Sequence, residues 1–184
     1  MGILPDNWIR EMALKRGMIE PFAEGKPRKG RISFGTTSYG YDYRLAAEFR
    51  VPEFDTHNPI DPKRIGQLQF ADVRQSSIVI PGHRYILGRS LEYFRIPRDV
   101  LVICQGKSTY ARCGLIVNVT PFEPEWEGYA TIALVNSSHS PVKVYAGEGI
   151  AQIIFLRAEA ECNISYADKR GKYQAQRRIE LSKI

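Results

Sequence analysis

The chain has 184 residues, 43% of them apolar and 25% charged, and a formal net charge of +6. A length in this range suggests a single domain, residues 1–184, able to bury about 70% of the surface its unfolded form exposes without disulfide or metal staples. No apolar run approaches the ~20 residues needed to cross a bilayer, so a membrane-spanning helix is excluded.

The opening Met1-Gly-Ile-Leu-Pro-Asp6 has no basic stretch followed by an apolar core, so no signal peptide is expected, and Asp6 stands where a myristoylation motif needs Ser or Thr. Cys104, Cys113 and Cys162 are odd in number and 9 and 49 residues apart. That spacing argues against a disulfide framework or a zinc ribbon and points to a reducing cytoplasm. The positive charge suits an anionic ligand, but Arg and Lys are scattered from Arg10 to Lys183. The densest cluster, Arg177-Arg178, lacks the interleaved aromatics of single-strand binders, and no nucleic-acid partner is expected.

In chain order, Asp6 can cap a helix whose Ile9, Met12 and Ala13 share one face and which Gly17 can end in the left-handed conformation. Residues 25–30, with Pro27 and three basic side chains, read as an exposed loop. Short runs rich in Val, Ile, Tyr and Phe then predict strands at 31–34, 41–45, 77–80, 85–88, 100–104, 114–119, 129–135, 142–145 and 150–156. Residues 55–66, with Pro59 and Pro62, should loop over the surface. Strands bounded by turn residues at such intervals predict a mainly β sandwich or barrel with a short N-terminal helix and small helical segments.

The chemistry begins with an exclusion. A zinc-dependent nucleobase deaminase needs His-x-Glu and Pro-Cys-x-x-Cys. Here His57, His83 and His139 are followed two residues later by Pro59, Tyr85 and Pro141. No zinc is expected, and the histidines read as isolated surface or structural residues. Walker and Gly-x-Gly-x-x-Gly loops are absent as well. Gly106-Lys-Ser-Thr109 offers backbone N–H groups, two hydroxyls and an ammonium in one turn, which fits a polyphosphate cradle or a short helix capped by Ser108, two compatible readings. Arg112, four residues after Ser108, shares its face if the segment is helical.

Gly106-Lys-Ser-Thr-Tyr-Ala-Arg-Cys-Gly114 followed by Val117-Asn-Val-Thr-Pro-Phe-Glu-Pro-Glu-Trp-Glu-Gly128 resembles the core of bacterial deoxycytidine triphosphate (dCTP) deaminases. Ser38-Tyr-Gly-Tyr-Asp-Tyr-Arg44, Tyr93-Phe-Arg-Ile-Pro97, Gly147-Glu-Gly-Ile-Ala-Gln152 and Gly171-Lys-Tyr-Gln-Ala-Gln176 extend the likeness, in order, over nearly the whole chain. The resemblance implies a distorted β-barrel, jelly-roll-like fold of the dUTPase-like superfamily, assembled as a homotrimer with active sites at the subunit interfaces. It implies hydrolytic, zinc-free deamination of dCTP to dUTP, with dTTP as a candidate inhibitor. In that chemistry a serine, a backbone carbonyl and a glutamate position the water, the glutamate carries the protons, and an arginine supports the reacting groups.

Carried over, Ser108 matches the serine and Arg112 the arginine. Lys107, Thr109, Tyr166, Lys172 and Gln176 match triphosphate contacts, Glu123 an acidic residue near the sugar, and Gln152 a further nucleotide contact. Mg²⁺ is expected on the phosphates, with no protein side chain as its ligand.

One position departs. Where the family reads Thr-Leu-Glu-Phe-x-Asn, this chain reads Thr131-Ile-Ala-Leu-Val-Asn136, so Ala133 holds the glutamate's slot. In a strand Thr131, Ala133 and Val135 share one face, so the methyl group should point where the carboxylate would have pointed. Three readings follow: a deaminase with a deliberate Glu→Ala replacement that traps substrate, a naturally silent nucleotide-binding sensor or regulator, and a dUTPase-type triphosphate hydrolase.

Overall fold

The computed structural model describes residues 2–25, 29–53 and 59–183. Lys26, Pro27 and Arg28 of the basic loop, and His57, lie outside the described residues. The elements run β1 (Gly2–Ile3), α1 (Asp6–Arg16), β2 (Ile19–Glu20), β3 (Gly35–Thr37), β4 (Gly40–Pro52), a 3₁₀ turn (Pro62–Gln67), β5 (Phe70–Arg74), β6 (Ser77–Ile80), β7 (Tyr85–Arg95) and β8 (Val100–Gly106). They continue with α2 (Ser108–Ala111), β9 (Leu115–Asn118), β10 (Glu127–Asn136), β11 (Val142–Tyr145) and β12 (Gly149–Arg157).

One curled ten-stranded sheet carries the fold, with the path β1-β12-β4-β7-β10-β9; β6 and β11 form a separate pair. The long β4 makes the corner. Its first half pairs with β12 and its second half with β7 and β5. Register shifts between Gly149 and Ala151, between Leu45 and Phe49, and between Tyr129 and Thr131 bend the strands, as bulges do, and curl the sheet into a half-barrel. At the last of these shifts the Ala130 N–H bonds to Ser90 Oγ (2.8 Å), which itself donates to Glu92 O (2.7 Å).

Inside the curl, Tyr41, Tyr43, Leu45, Phe49, Ile132, Leu134 and Phe155 are essentially fully buried. Glu92 is buried among them, accepting from Arg44 Nε (2.6 Å), Arg44 N (2.9 Å) and Tyr41 Oη (3.2 Å). Burial pushes its carboxyl above the ordinary range, and the Arg44 guanidinium pulls the other way. A buried acid of this kind persists because every oxygen has a donor. No helix among the described residues is long and apolar enough to cross a membrane.

Several local expectations need correction. Pro5, not Asp6, stands at the cap of α1, and Gly17 ends it at φ 63°. Residues 31–34 are not a strand: the Ile32 N–H goes to Glu148 Oε2 (2.9 Å), and ladder pairing to β4 starts at Gly35. Residues 62–67 form a 3₁₀ turn inside the expected loop, with the Asp61 side chain accepting from Lys63 N. Lys107 takes the cap position of α2, whose single turn has no side-chain cap from Ser108.

Candidate active site

Strand β10 alternates cleanly. Ala130, Ile132 and Leu134 point into the core, while Thr131, Ala133 and Val135 are half-buried on the outer face. Across neighbouring strands Ala133 stands opposite Leu87 on β7 and Asn118 on β9, and Leu87 in turn opposes Arg50 on β4. The outer face around position 133 carries an apolar group, with Leu87, Leu91 and Val135 half-buried and Ile116 53% exposed, beside the polar Thr131, Arg89 and Asn118.

Next to Thr131 a cleft of about 630 Å³ opens, lined among others by Glu123, Tyr166, Lys172 and Gln176 together with Tyr173 and Glu180. The segment after β12 builds its wall by folding back along residues 123–131. Tyr166 N donates to Pro124 O (3.0 Å), Trp126 Nε1 to Tyr173 O (3.0 Å), and Tyr129 N to Gln176 O (3.1 Å). Gln176 Nε2 bonds to Tyr129 O and reaches Thr131 Oγ1 (3.3 Å). Gly128, at φ 146°, is where Gln176 crosses; a side chain there would meet Gln176 Cγ at 2.9 Å.

Arg98 holds this arrangement together. Its guanidinium donates to Glu125 Oε2 (2.6 Å), Asp168 Oδ2 (2.8 Å) and the carbonyls of Cys162 and Asn163 (3.3 Å each). It thus ties residues 162–168 to the loop before β10. Hydrogen bonds from Ser165 N and the Arg98 guanidinium hold the Asp168 carboxyl below its usual range. Tyr166 Oη then accepts from Tyr173 N (3.1 Å), passing the placement on to Lys172 and Gln176. Lys169 closes on Glu123 at 2.7 Å.

Glu180 had no signal in the sequence. Its N–H donates to Thr131 Oγ1 (3.2 Å), and its carboxylate pairs with Lys183 (2.9 Å) and Arg178 (3.5 Å). The Lys183 bond is the main reason its carboxyl lies below the ordinary value. Lys172 Nζ bonds to the carbonyl of Lys183.

The remaining sequence candidates lie elsewhere. Ser108, Thr109 and Arg112 are exposed around α2, and none of them lines the cleft. Lys107 is turned inward, with its ammonium on Asp42 Oδ2 (2.5 Å) and Ser33 Oγ (3.1 Å). Gln152 on β12 donates to Thr37 Oγ1 (3.2 Å). Within one chain the candidates thus form two groups, one in the cleft and one around α2.

The fold is a mainly β, curled sheet with few helices. The chain matches the dCTP deaminase-like family over residues 3–158, and it belongs to that family. A dCTP deaminase of Rhodospirillum centenum is 54% identical over 184 residues, and one of Acidobacterium capsulatum 56% identical over 184 residues, each alignment covering 100% of both chains. Among solved structures, the 2'-deoxycytidine 5'-triphosphate deaminase from Agrobacterium tumefaciens superposes with a TM-score of 0.64 at 18% identity, over 84% of this chain and 48% of that one, a likeness of fold.

Proposed function

We propose that this chain binds dCTP and dUTP in the cleft beside Thr131, that its parent chemistry is hydrolytic deamination of dCTP to dUTP and ammonia, and that Ala133 leaves that chemistry without its proton carrier. The observation that carries the reading is the position of Ala133 on the same outer strand face as Thr131, two residues along from it, where Thr131 lines a cleft that holds Glu123, Tyr166, Lys172 and Gln176.

In the reaction, water adds to C4 of the cytosine and gives up a proton, the ring nitrogen is protonated, and the amine leaves as ammonia after taking a second proton. Ser108 positions the water and Arg112 supports the reacting groups. Glu123 faces the sugar, while Lys107, Thr109, Gln152, Tyr166, Lys172 and Gln176 hold the rest of the nucleotide. A methyl group at 133 can neither accept nor deliver a proton, and general acid–base transfer is worth about 10²–10⁴-fold in rate. Glu180 does not replace it: a carboxylate paired with Lys183 and Arg178 and held in its ionised form is a poor proton donor. Binding is retained, because a group acting along the reaction coordinate contributes little to ground-state affinity.

The separation of the two residue groups supports a homotrimer in which α2 of one copy completes the cleft of the next. The apolar outer face at Leu87, Leu91, Ile116 and Val135 suits burial in such a contact. Mg²⁺ belongs to the same proposal. Among the described residues no cluster of three or more His, Cys, Asp or Glu could hold a metal. The ion's ligands would be phosphate oxygens and water, and it would supply neutralising charge. dTTP, sharing sugar and triphosphate, is a candidate competitor. A cytoplasmic setting, where such nucleotides are made and used, completes the reading.

The test is calorimetric titration with dCTP, dUTP and dTTP beside an ammonia assay on the chain and on Ala133→Glu. Micromolar-range binding by both with turnover only in Ala133→Glu supports the reading. Rapid turnover by the unaltered chain contradicts the role given to Ala133, and pyrophosphate release from dUTP would favour triphosphate hydrolysis instead.

A further inference from the structure

His83 and His139, 56 positions apart in sequence, meet on the surface with His83 Nε2 3.0 Å from His139 Nδ1 and the rings nearly perpendicular at 85°. The loops that carry them are welded below. Asn136, fully buried, donates to the carbonyls of Ile80 (2.9 Å), Pro81 (3.1 Å) and Ser140 (2.8 Å), and its oxygen accepts from Ser138 N (3.0 Å) and Ser138 Oγ (2.8 Å). His83 N donates to Ser138 O (3.2 Å), and Gly82 lies so close to the His139 backbone that any side chain would collide with it. His83 itself is held at φ 57°. The loop between β6 and β7 and the loop between β10 and β11 therefore present two exposed imidazoles from a rigid base.

From this geometry we propose that His83 and His139 form a two-imidazole site for a divalent transition-metal ion, apart from the nucleotide cleft. Two nitrogens bound to one ion at about 2.0–2.1 Å stand about 2.8–3.0 Å apart at a right angle and about 3.3–3.4 Å apart at a tetrahedral angle. The observed 3.0 Å matches the right-angled case, which Ni²⁺ and Cu²⁺ favour, while Zn²⁺ requires the pair to open slightly. In the metal-free pair one imidazole N–H donates to the other nitrogen; when the ion binds, that ring takes its other tautomer, its proton moving to the ring nitrogen away from the contact, and the two rings turn so that both lone pairs face the ion. Water supplies the remaining ligands. A preformed pair on a fixed backbone binds better than two mobile side chains because little ordering remains to be done.

The test uses the full chain without an affinity tag and Ni²⁺ as the probe, titrated calorimetrically at pH 7.5. The expected result is one ion per chain, with affinity at least tenfold weaker in both His83→Asn and His139→Gln. Asn is chosen at 83 because it tolerates the left-handed conformation. In the unaltered chain Ni²⁺ should raise the melting temperature. Unaltered melting temperatures of the two metal-free variants would exclude misfolding as the cause of the loss. No saturable binding, or binding that either variant leaves intact, overturns the site.

Discussion

Ala133 stands directly across from Leu87, two residues along its strand from Thr131, whose hydroxyl accepts the backbone N–H of Glu180 at 3.2 Å. Position 133, the outer strand face beside it and the docked C-terminal segment therefore meet at one place. Each can be perturbed separately.

The apolar face is the easiest to break. Replacing Ile116 or Val135 by Asp puts a charge where the proposed neighbour packs, and a desolvated, unpaired carboxylate is costly. Light scattering should show a shift from trimer to monomer. Nucleotide binding should fall with it, because Ser108 and Arg112 would no longer reach the cleft. A trimer that survives both substitutions would place the interface elsewhere.

Arg98 gives the second prediction. Arg98→Ala should weaken triphosphate binding while leaving the sheet folded, because its partners are the C-terminal segment and the loop before β10. Limited proteolysis should then cut after β12 faster than in the unaltered chain. Arg98→Lys, keeping the charge but not the fork of donors, should recover only part of the affinity.

Ser90→Ala tests the bend in the sheet. Ser90 is fully buried, and its loss leaves the Ala130 N–H without a partner inside the protein. A cost of about 1–3 kcal/mol is expected, read as a shift in the denaturant midpoint with unchanged slope. A shift near zero would mean that the register change needs no such bridge.

Acid should release the C-terminal segment before it melts the sheet. Glu180 and Asp168 have carboxyls held below their ordinary values of 4.5 and 3.8, so they stabilise the fold above those values and lose that contribution as pH falls toward their lowered folded values. Glu92 acts with the opposite sign. Its raised carboxyl favours the folded chain at low pH and loses that advantage as pH rises above 4.5. Hydrogen exchange between pH 5 and about 3 should show residues 165–183 opening first, while β4 and β7 stay protected.

How much of this was legible in the sequence varied by element. Residues 77–80 and 142–145 are strands with the bounds expected, because their alternation is short and sharply punctuated. β5 escaped notice because Phe70-Ala-Asp-Val-Arg74 carries charges on an exposed edge and buries little. Residues 31–34 look like a strand by composition, yet their backbone is captured by Glu148, a partner more than a hundred residues away. The site follows the same rule. Motifs pointed to Glu123, Tyr166, Lys172 and Gln176, which the fold gathers around one cleft. The parts played by Arg98 and Glu180, and the meeting of His83 with His139, depend on how distant loops fold back, and no local pattern records that.

The most direct measurement is ammonia release from dCTP by the unaltered chain and by Ala133→Glu, with dCTP affinity measured on both. The expected result is comparable affinity and a rate higher by about 10²–10⁴-fold or more in Ala133→Glu. If Ala133→Glu binds dCTP as tightly yet releases no ammonia, position 133 is not the missing proton carrier and the deaminase reading fails.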